Sequence, residues 1–318
     1  MKENSNTKCR NNQIEGLRGL AVCLILVYHL FCRFAQLYLD SNYLILQYFG
    51  SLGTSFFLII TSFYLGNSVF QQHIFSFHKF LKKKISRLWP TYAICVILIF
   101  IVLYMFPLPG RTPEWKDLFL NIFFLNGYIG TQYIDGSHWY LTTILSFFVV
   151  IGFFKSINIS QKWWSYTIWI IIGVISKYFK LTVLSNMLGN GFIGYAIIGI
   201  LLYSVFYKNK KLTKGWIFNF IISIIYIFCI TGIKYGLELL IVIPLFLAAQ
   251  GNKLSVLERR LPTKFGTISY PTYLIHQNIG FVIEFELMNY FGVYSSLYAV
   301  LALICVVTLG VIISMFFR

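Results

Sequence analysis

Apolar runs of about twenty residues, separated by short basic or turn-rich stretches, recur along the whole 318-residue chain. A helix of ~20 residues is what crosses the ~30 Å hydrocarbon core of a bilayer. Inside hydrocarbon every backbone N–H and C=O must be satisfied within the chain, so runs of this kind are helices. The runs predict ten spans, near 15–35, 48–67, 89–106, 138–155, 164–180, 191–207, 216–233, 235–250, 267–290 and 295–317. With 58% hydrophobic and 11% charged residues, the chain has too little polar surface to cover a soluble globule. The expected fold class is therefore all-α, a polytopic membrane helix bundle forming one integral-membrane domain over 1–318. An even number of spans puts both termini on one side.

A formal net charge of +16 invites a nucleic-acid reading, but the basic residues form short clusters between apolar runs and not a soluble face. Nucleic acid is excluded as a partner; membrane lipids are the expected surroundings. Sorted by side, with Arg18 set apart as intramembrane, nineteen Lys and Arg fall on the side of the N-terminus. They are Lys2, Lys8, Arg10, Lys79, Lys82, Lys83, Lys84, Arg87, Lys155, Lys162, Lys208, Lys210, Lys211, Lys214, Lys253, Arg259, Arg260, Lys264 and Arg318. Six fall on the other side: Arg33, Arg111, Lys116, Lys177, Lys180 and Lys234. The positive-inside rule then predicts a multi-pass protein of the cell membrane with both termini cytoplasmic. The first apolar run is full length and lacks a small-residue cleavage site, so it is expected to stay as a helix. The six cysteines, Cys9, Cys23, Cys32, Cys95, Cys229 and Cys305, show no CxxC pairing and read as small buried hydrophobes. The stretch 107–137 is too short in its apolar middle, Leu118 to Leu125, to cross, and reads as an interfacial or re-entrant element roofing a cavity.

The first span holds the polar pair that most needs a function. Arg18 and His29 in IEGLRGLAVCLILVYHL are eleven positions apart, a step that returns both side chains to one helix face about 16 Å apart along the axis. An ionisable residue at membrane depth costs on the order of 3 kcal/mol on insertion scales and faces a bundle interior or wet cavity. Glu15 lies within i,i+3 reach of Arg18 and can neutralise or orient the guanidinium. The competing reading is structural, with Arg18 snorkelling to headgroups and His29 a satisfied core histidine.

Polar residues recur in other spans. GTSFFLIITSFYLG at 53–66 places Ser62 in the second span, where small hydroxyl residues also serve close helix packing. Lys84 and Arg87, three apart before Trp89 and Pro90, share a helix face at the membrane border and suit a phosphate-binding spot as well as topology control. His138, Trp139 and Tyr140 fall at the other border, where an aromatic belt is expected for anchoring alone. In FGTISYPTYLIHQN, Ser269, Tyr270, Tyr273 and His276 lie in one apolar setting, Ser269, Tyr273 and His276 or Gln277 forming one polar stripe, and Pro271 is expected to bend the helix. Paired-histidine spacing and an acidic cluster are both missing, so no metal site is expected.

Taken in order, LRGLA with its membrane histidine, SFFLIITSF, the basic run ending RLWPTY, the WYL segment and FGTISYPTYLIH resemble the acyltransferase-3 family of integral-membrane acyltransferases, over roughly 15–280. The resemblance implies about ten spans and transfer of acetyl or another short acyl group to hydroxyls of cell-surface polysaccharide, peptidoglycan or lipid-linked sugars. It implies a catalytic function for His29 and Arg18, and matches Lys84 and Arg87 to the family's cytoplasmic basic pair. There are departures. Phe63 follows Ser62 where many members carry glycine, Thr142 and Thr143 stand where others carry glutamate, and no extracytoplasmic hydrolase-like domain is fused at the C-terminus.

The implied reaction takes acyl-CoA, acetyl-CoA by default, as a donor substrate and not as a resident cofactor. Lys84 and Arg87 hold its phosphates, Arg18 orients the donor, and His29 is general base on the acceptor hydroxyl or a transient acyl carrier. His138, Tyr140 and the aromatic loop before them are expected on the acceptor side. A transporter or exporter of a saccharide or lipid-linked sugar would use the same cavity without chemistry, although the halves of the chain show no detectable repeat of one another.

Overall fold

A computed structural model of the chain describes residues 11–41, 45–71, 75–208 and 213–317. Lys2, Lys8, Cys9, Arg10, Lys210, Lys211 and Arg318 lie outside the described residues. The described chain is built from fourteen helices and short 3-10 and π turns, with a single isolated β-bridge between Leu108 and Arg111. In order they are α1 (Asn12–Val27), α2 (Phe34–Tyr38), α3 (Phe49–Phe70), α4 (Phe77–Met105), α5 (Trp115–Ile122), α6 (Asn126–Ile129) and α7 (Trp139–Ser156). Then follow α8 (Trp163–Tyr178), α9 (Thr182–Leu188), α10 (Ile193–Lys208), α11 (Lys214–Tyr226), α12 (Ile233–Gln250), α13 (Arg260–Phe291) and α14 (Ser296–Phe316).

Eight helical stretches among the described residues are long and apolar enough to cross a membrane: Asn12–Tyr38, Leu46–Phe70, Phe77–Met105, Gly136–Ser156, Thr182–Tyr207, Lys214–Thr231, Ile233–Gln250 and Ser296–Phe316. The protein is a multi-pass helical bundle. The other two expected spans are helices of a different character. The fifth, α8, has 16 residues, about 24 Å at 1.5 Å per residue. The ninth, α13, has 32 residues and buries Ser269, His276, Gln277, Asn278 and Glu284. A helix surrounded by protein need not be apolar on every side, because its polar groups find partners in its neighbours.

Local signals set the helix ends. The Asn11 side chain caps α1 by accepting from the backbone N–H groups of Gln13 (2.9 Å) and Ile14 (3.2 Å). Ser76 caps α4, so this helix starts twelve residues before the third expected span and carries the whole basic run on its first turns. α13 continues through Pro271 and ends at Gly292, whose φ of +70° is the left-handed conformation glycine tolerates. α1 passes into α2 through a π-helical turn, Tyr28–Arg33, which contains His29.

Two glycines fix how the helices meet. α13 runs beside α1 in the same direction, and a Cβ on Gly266 would lie 2.0 Å from the Glu15 carbonyl oxygen; one on Gly19 would lie 2.1 Å from that of Pro262. Only bare backbones approach so closely. α14 packs antiparallel to α13, Gly310 against Thr272 and Gly280 beside Val306, which returns the chain to the end of the bundle where α1 starts. α3 runs antiparallel to α1 on its other flank, with Gly50 against Tyr28 and Gly53 against Ala21 and Ile25. The segment 107–137 is re-entrant. It leaves the far end of α4, packs Trp115 on Phe100 (ring centroids 4.8 Å), and reaches back until Trp89 Nε1 donates to the Ile122 carbonyl at 2.9 Å.

Gly266→Ala is expected to lower the thermal midpoint of the detergent-solubilised protein, because the new methyl meets a backbone carbonyl that cannot rotate away. Overpacking of this kind costs ~1–3 kcal/mol. An unchanged midpoint would show that α1 and α13 can part without loss.

Candidate active site

The α1–α13 contact carries the site. One helical turn beyond the Gly266–Glu15 approach, Arg18 Nη2 donates to Ser269 Oγ at 3.2 Å, and Ser269 Oγ donates to the Gly266 carbonyl at 2.7 Å. Arg18 Nη1 lies 3.6 Å from Glu15 Oε1, so the expected i,i+3 partner is in place. Two turns further along α13, His276 meets His29, with ring centroids 4.8 Å apart and planes at 71°. Seven residues of α13 rise about 10 Å and eleven of α1 about 16 Å, a difference that the extended Arg18 side chain spans.

His276 is fully buried. Its Nδ1 lies 2.7 Å from the Tyr273 carbonyl oxygen, and its Nε2 has no partner among the described residues. A carbonyl only accepts, so Nδ1 carries the hydrogen and Nε2 keeps a free lone pair. His138, 1% exposed, is fixed in the same way. Its Nε2 donates to the Leu274 carbonyl at 2.8 Å and its Nδ1 is buried without a partner. His29 Nδ1 is likewise buried and unpartnered.

Asp135, Asn278 and Arg111, none of them a candidate from the sequence, tie this core to the re-entrant segment. Asp135 is completely buried and accepts from Ser137 N (2.9 Å), Ser137 Oγ (2.6 Å) and Asn278 N (3.0 Å). Asn278 Nδ2 donates to the Ile134 carbonyl at 2.6 Å, and Arg111 Nη1 donates to Asn278 Oδ1. The N–H of Asn278 and the C=O of Leu274, which face each other across one turn of α13, thus take Asp135 and His138 as partners. Burial pushes the Asp135 carboxyl up, but the nearby His138 and His276 and the hydrogen bonds from Ser137 and Asn278 outweigh it and leave the group below its ordinary value. The sequence held one usable signal, the D-x-S pattern of Asp135 and Ser137, which favours a local side-chain-to-backbone turn.

A cavity of about 560 Å³ opens beside this core, lined among others by Tyr38, Arg111, Asp117, Tyr133, Gly136 and Asn278. Phe281 packs between His29 and two residues of its wall, Tyr38 and Arg111. The Phe281 ring centroid is 6.4 Å from that of His29 and 6.1 Å from that of Tyr38, and the Arg111 guanidinium sits over it at 5.1 Å. The residues 107–137 do roof a cavity, but its walls are not those expected. His138 lies behind the wall, Tyr140 shares a hydrogen bond with Thr61 at 3.0 Å, and Trp139 stacks on Phe192 at 4.9 Å. Tyr273 donates to the Ser137 carbonyl and packs edge-on against Tyr140 at 5.7 Å. Tyr270 donates to the Leu88 carbonyl at 2.8 Å, next to Arg87. Ser62 is buried against Gly199 of α10, where a Cβ on the glycine would lie 2.5 Å from the serine Cβ. It packs helices and does not reach the His29–His276 contact. Lys84 is half-buried with its Nζ 5.0 Å above the Phe148 ring, and Arg87 is exposed on the same helix. No group of three or more His, Cys, Asp and Glu that could hold a metal occurs among the described residues.

A family model described as an acyltransferase domain, acyltransferase type 3, matches residues 11–317. The chain belongs to the acyltransferase-3 family. A protein of Komagataeibacter xylinus described as a candidate membrane-bound transacylase, BcsY, is 29% identical over 92 residues, which are 29% of this chain and 20% of that protein. The chain thus matches well under two thirds of that relative's length. No solved structure matches the chain. The family is one of acyltransferase domains.

Asp135→Ala leaves the buried N–H groups of Asn278 and Ser137 without their acceptor, a loss of ~1–3 kcal/mol for each. The expected outcome is a thermal midpoint several degrees lower, with reduced acyl transfer. If the variant melts with the parent, the carboxylate does not hold the re-entrant segment to α13.

Proposed function

We propose that this acyltransferase moves an acetyl or other short acyl group from cytoplasmic acyl-CoA to a hydroxyl of an extracytoplasmic or lipid-linked cell-surface polysaccharide. The observation that carries the reading is the placement of Arg18 on α1 and of His29 in the π turn that continues it, both against α13. Arg18 lies toward the end where α1 starts, and His29 packs on Phe281, whose other neighbours Tyr38 and Arg111 line the cavity. The charge bias of the sequence puts the start of α1, and both termini, in the cytoplasm.

Lys84 and Arg87 take the phosphates of the donor at the cytoplasmic border. The pantetheine arm, comparable in length to the ~16 Å between Arg18 and His29, carries the thioester into the bundle. Arg18, held by Glu15 and Ser269, orients the donor. His29 Nε2 removes the proton of the acceptor hydroxyl as its oxygen attacks the thioester carbonyl carbon. The C–S bond then breaks, and the CoA thiolate leaves as a thiol with the proton that His29 carried. The products are an O-acyl sugar and free CoA, with no net proton released. Tyr38, Tyr133, Arg111 and Asn278 around the cavity supply the aromatic faces and planar polar groups that suit a sugar.

His29→Ala is expected to lower acylation of the surface polysaccharide by about 10²-fold or more at normal expression and glycan export. Unchanged acylation would remove His29 from the mechanism; lost export with unacylated glycan retained inside would point to transport. The double variant Lys84→Ala, Arg87→Ala is expected to raise KM for acetyl-CoA roughly tenfold with little change in kcat, the signature of lost ground-state binding. A fall in kcat alone would place the pair elsewhere.

A further inference from the structure

Two nitrogens with complementary needs are buried in touching rings. His276 Nε2 holds a lone pair with no donor, because the Tyr273 carbonyl fixes the hydrogen on Nδ1. His29 Nδ1 is buried with no partner either, and the two ring centroids are 4.8 Å apart. If His29 takes a proton at Nε2, as its proposed function requires, its hydrogen in the neutral state must sit on Nδ1. A buried N–H needs an acceptor. The other rings packed on His29 are those of Tyr28, at 4.8 Å, and Phe281, at 6.4 Å. Neither offers an imine-type lone pair. An imidazolium formed during the reaction likewise needs an acceptor on its other nitrogen.

We infer that His276 is the positioning residue of His29. His276 Nε2 accepts the hydrogen of His29 Nδ1, fixes His29 in the tautomer whose Nε2 is the base, and steadies the imidazolium that forms when the acceptor hydroxyl is deprotonated. The proton on His29 Nδ1 stays there throughout; only the one on Nε2 comes and goes, from the sugar hydroxyl to the departing thiolate. The planes now stand at 71°; with His276 held by the Tyr273 carbonyl, the hydrogen bond forms by rotation of the His29 ring when the acceptor binds, as catalytic hydrogen bonds that are long in the free enzyme tighten with substrate. His276 is itself held from behind, because the Leu274 carbonyl and Asn278 N–H on the same turns of α13 are taken by His138 and Asp135. A neutral histidine thus stands where triad enzymes place a carboxylate.

The test uses two isosteres in the full-length protein. His276→Asn keeps an amide N–H near Nδ1, for the Tyr273 carbonyl, and removes the acceptor at Nε2. His276→Gln places an amide oxygen near Nε2 and gives up the Nδ1 donor. Release of thiol from acetyl-CoA is followed with the host's surface polysaccharide as acceptor, beside thermal midpoint and expression. The Asn variant is expected to lose about 10²-fold in kcat with KM for acetyl-CoA unchanged, and the Gln variant to recover at least tenfold of that loss. A purely structural His276 predicts the reverse order, since Asn preserves the bond within α13. Wild-type kcat in the Asn variant, or equal loss in both, overturns the inference. The inference rests on His29 as base, and the His29→Ala control separates the two: full activity there sinks the base itself, whereas an inactive His29→Ala beside an active His276→Asn sinks only the pairing.

Discussion

Everything at the site depends on how closely α1 and α13 approach. Gly266 lets the backbone of α13 touch the carbonyl of Glu15, and Gly19 does the same for Pro262. A side chain at either position pushes the axes apart, and both the Arg18–Ser269 hydrogen bond and the His29–His276 contact lie within a few turns of that point. Van der Waals contact between bare backbones is the main attraction available to helices in lipid. Here the same contact that assembles the bundle also aligns the polar residues. Stability and chemistry share one seam.

The polar character of α13 is the counterpart of its position. It packs against α1, α4 and α14 and receives the turn at 135–138, so Tyr270, Tyr273, His276 and Asn278 face protein instead of lipid. The hydrogen bonds to it at the site come from segments far away in sequence. Asp135 and His138 come from the turn before α7, Arg111 from the stretch after α4, and Arg18 from α1. Buried polar networks of this kind are costly when half-satisfied, and the unpartnered nitrogens of His29, His138 and His276 are where that cost is carried. Enzymes accept such sites where groups must remain open to substrate.

The helices were legible in the sequence because hydropathy and cap residues are local. The apolar runs located ten of the fourteen helices, all the long ones, and Glu15 and Arg18 paired as i,i+3 spacing requires. The features that needed the structure were those decided across the chain. α4 begins at Ser76 because a serine cap outweighs the point at which apolar residues start. Ser62 reads from the sequence as a hydroxyl in an apolar span, and only the structure shows it against a glycine of α10. Arg111, Asp135 and Asn278 gave almost no signal, since their importance comes from hydrogen bonds spanning more than 140 positions. His276 was readable as a polar residue in an apolar helix, but not as the neighbour of His29. That juxtaposition needs the two glycines and the parallel course of their helices.

The π turn at Tyr28–Arg33 sets the rotational phase of everything beyond it. A π turn accommodates one extra residue in a helix, and one residue is worth about 100° of rotation. Without that residue Phe34 and Tyr38 would point about a quarter-turn away from their present direction. Tyr38 lines the cavity and Phe34 stacks on Tyr294, so the cavity wall on this side is in register with His29 only because the helix is locally underwound. A one-residue deletion between Tyr28 and Arg33 would therefore leave Arg18 undisturbed while turning Tyr38 out of the cavity, which makes this turn the gearing between α1 and the chamber beside it.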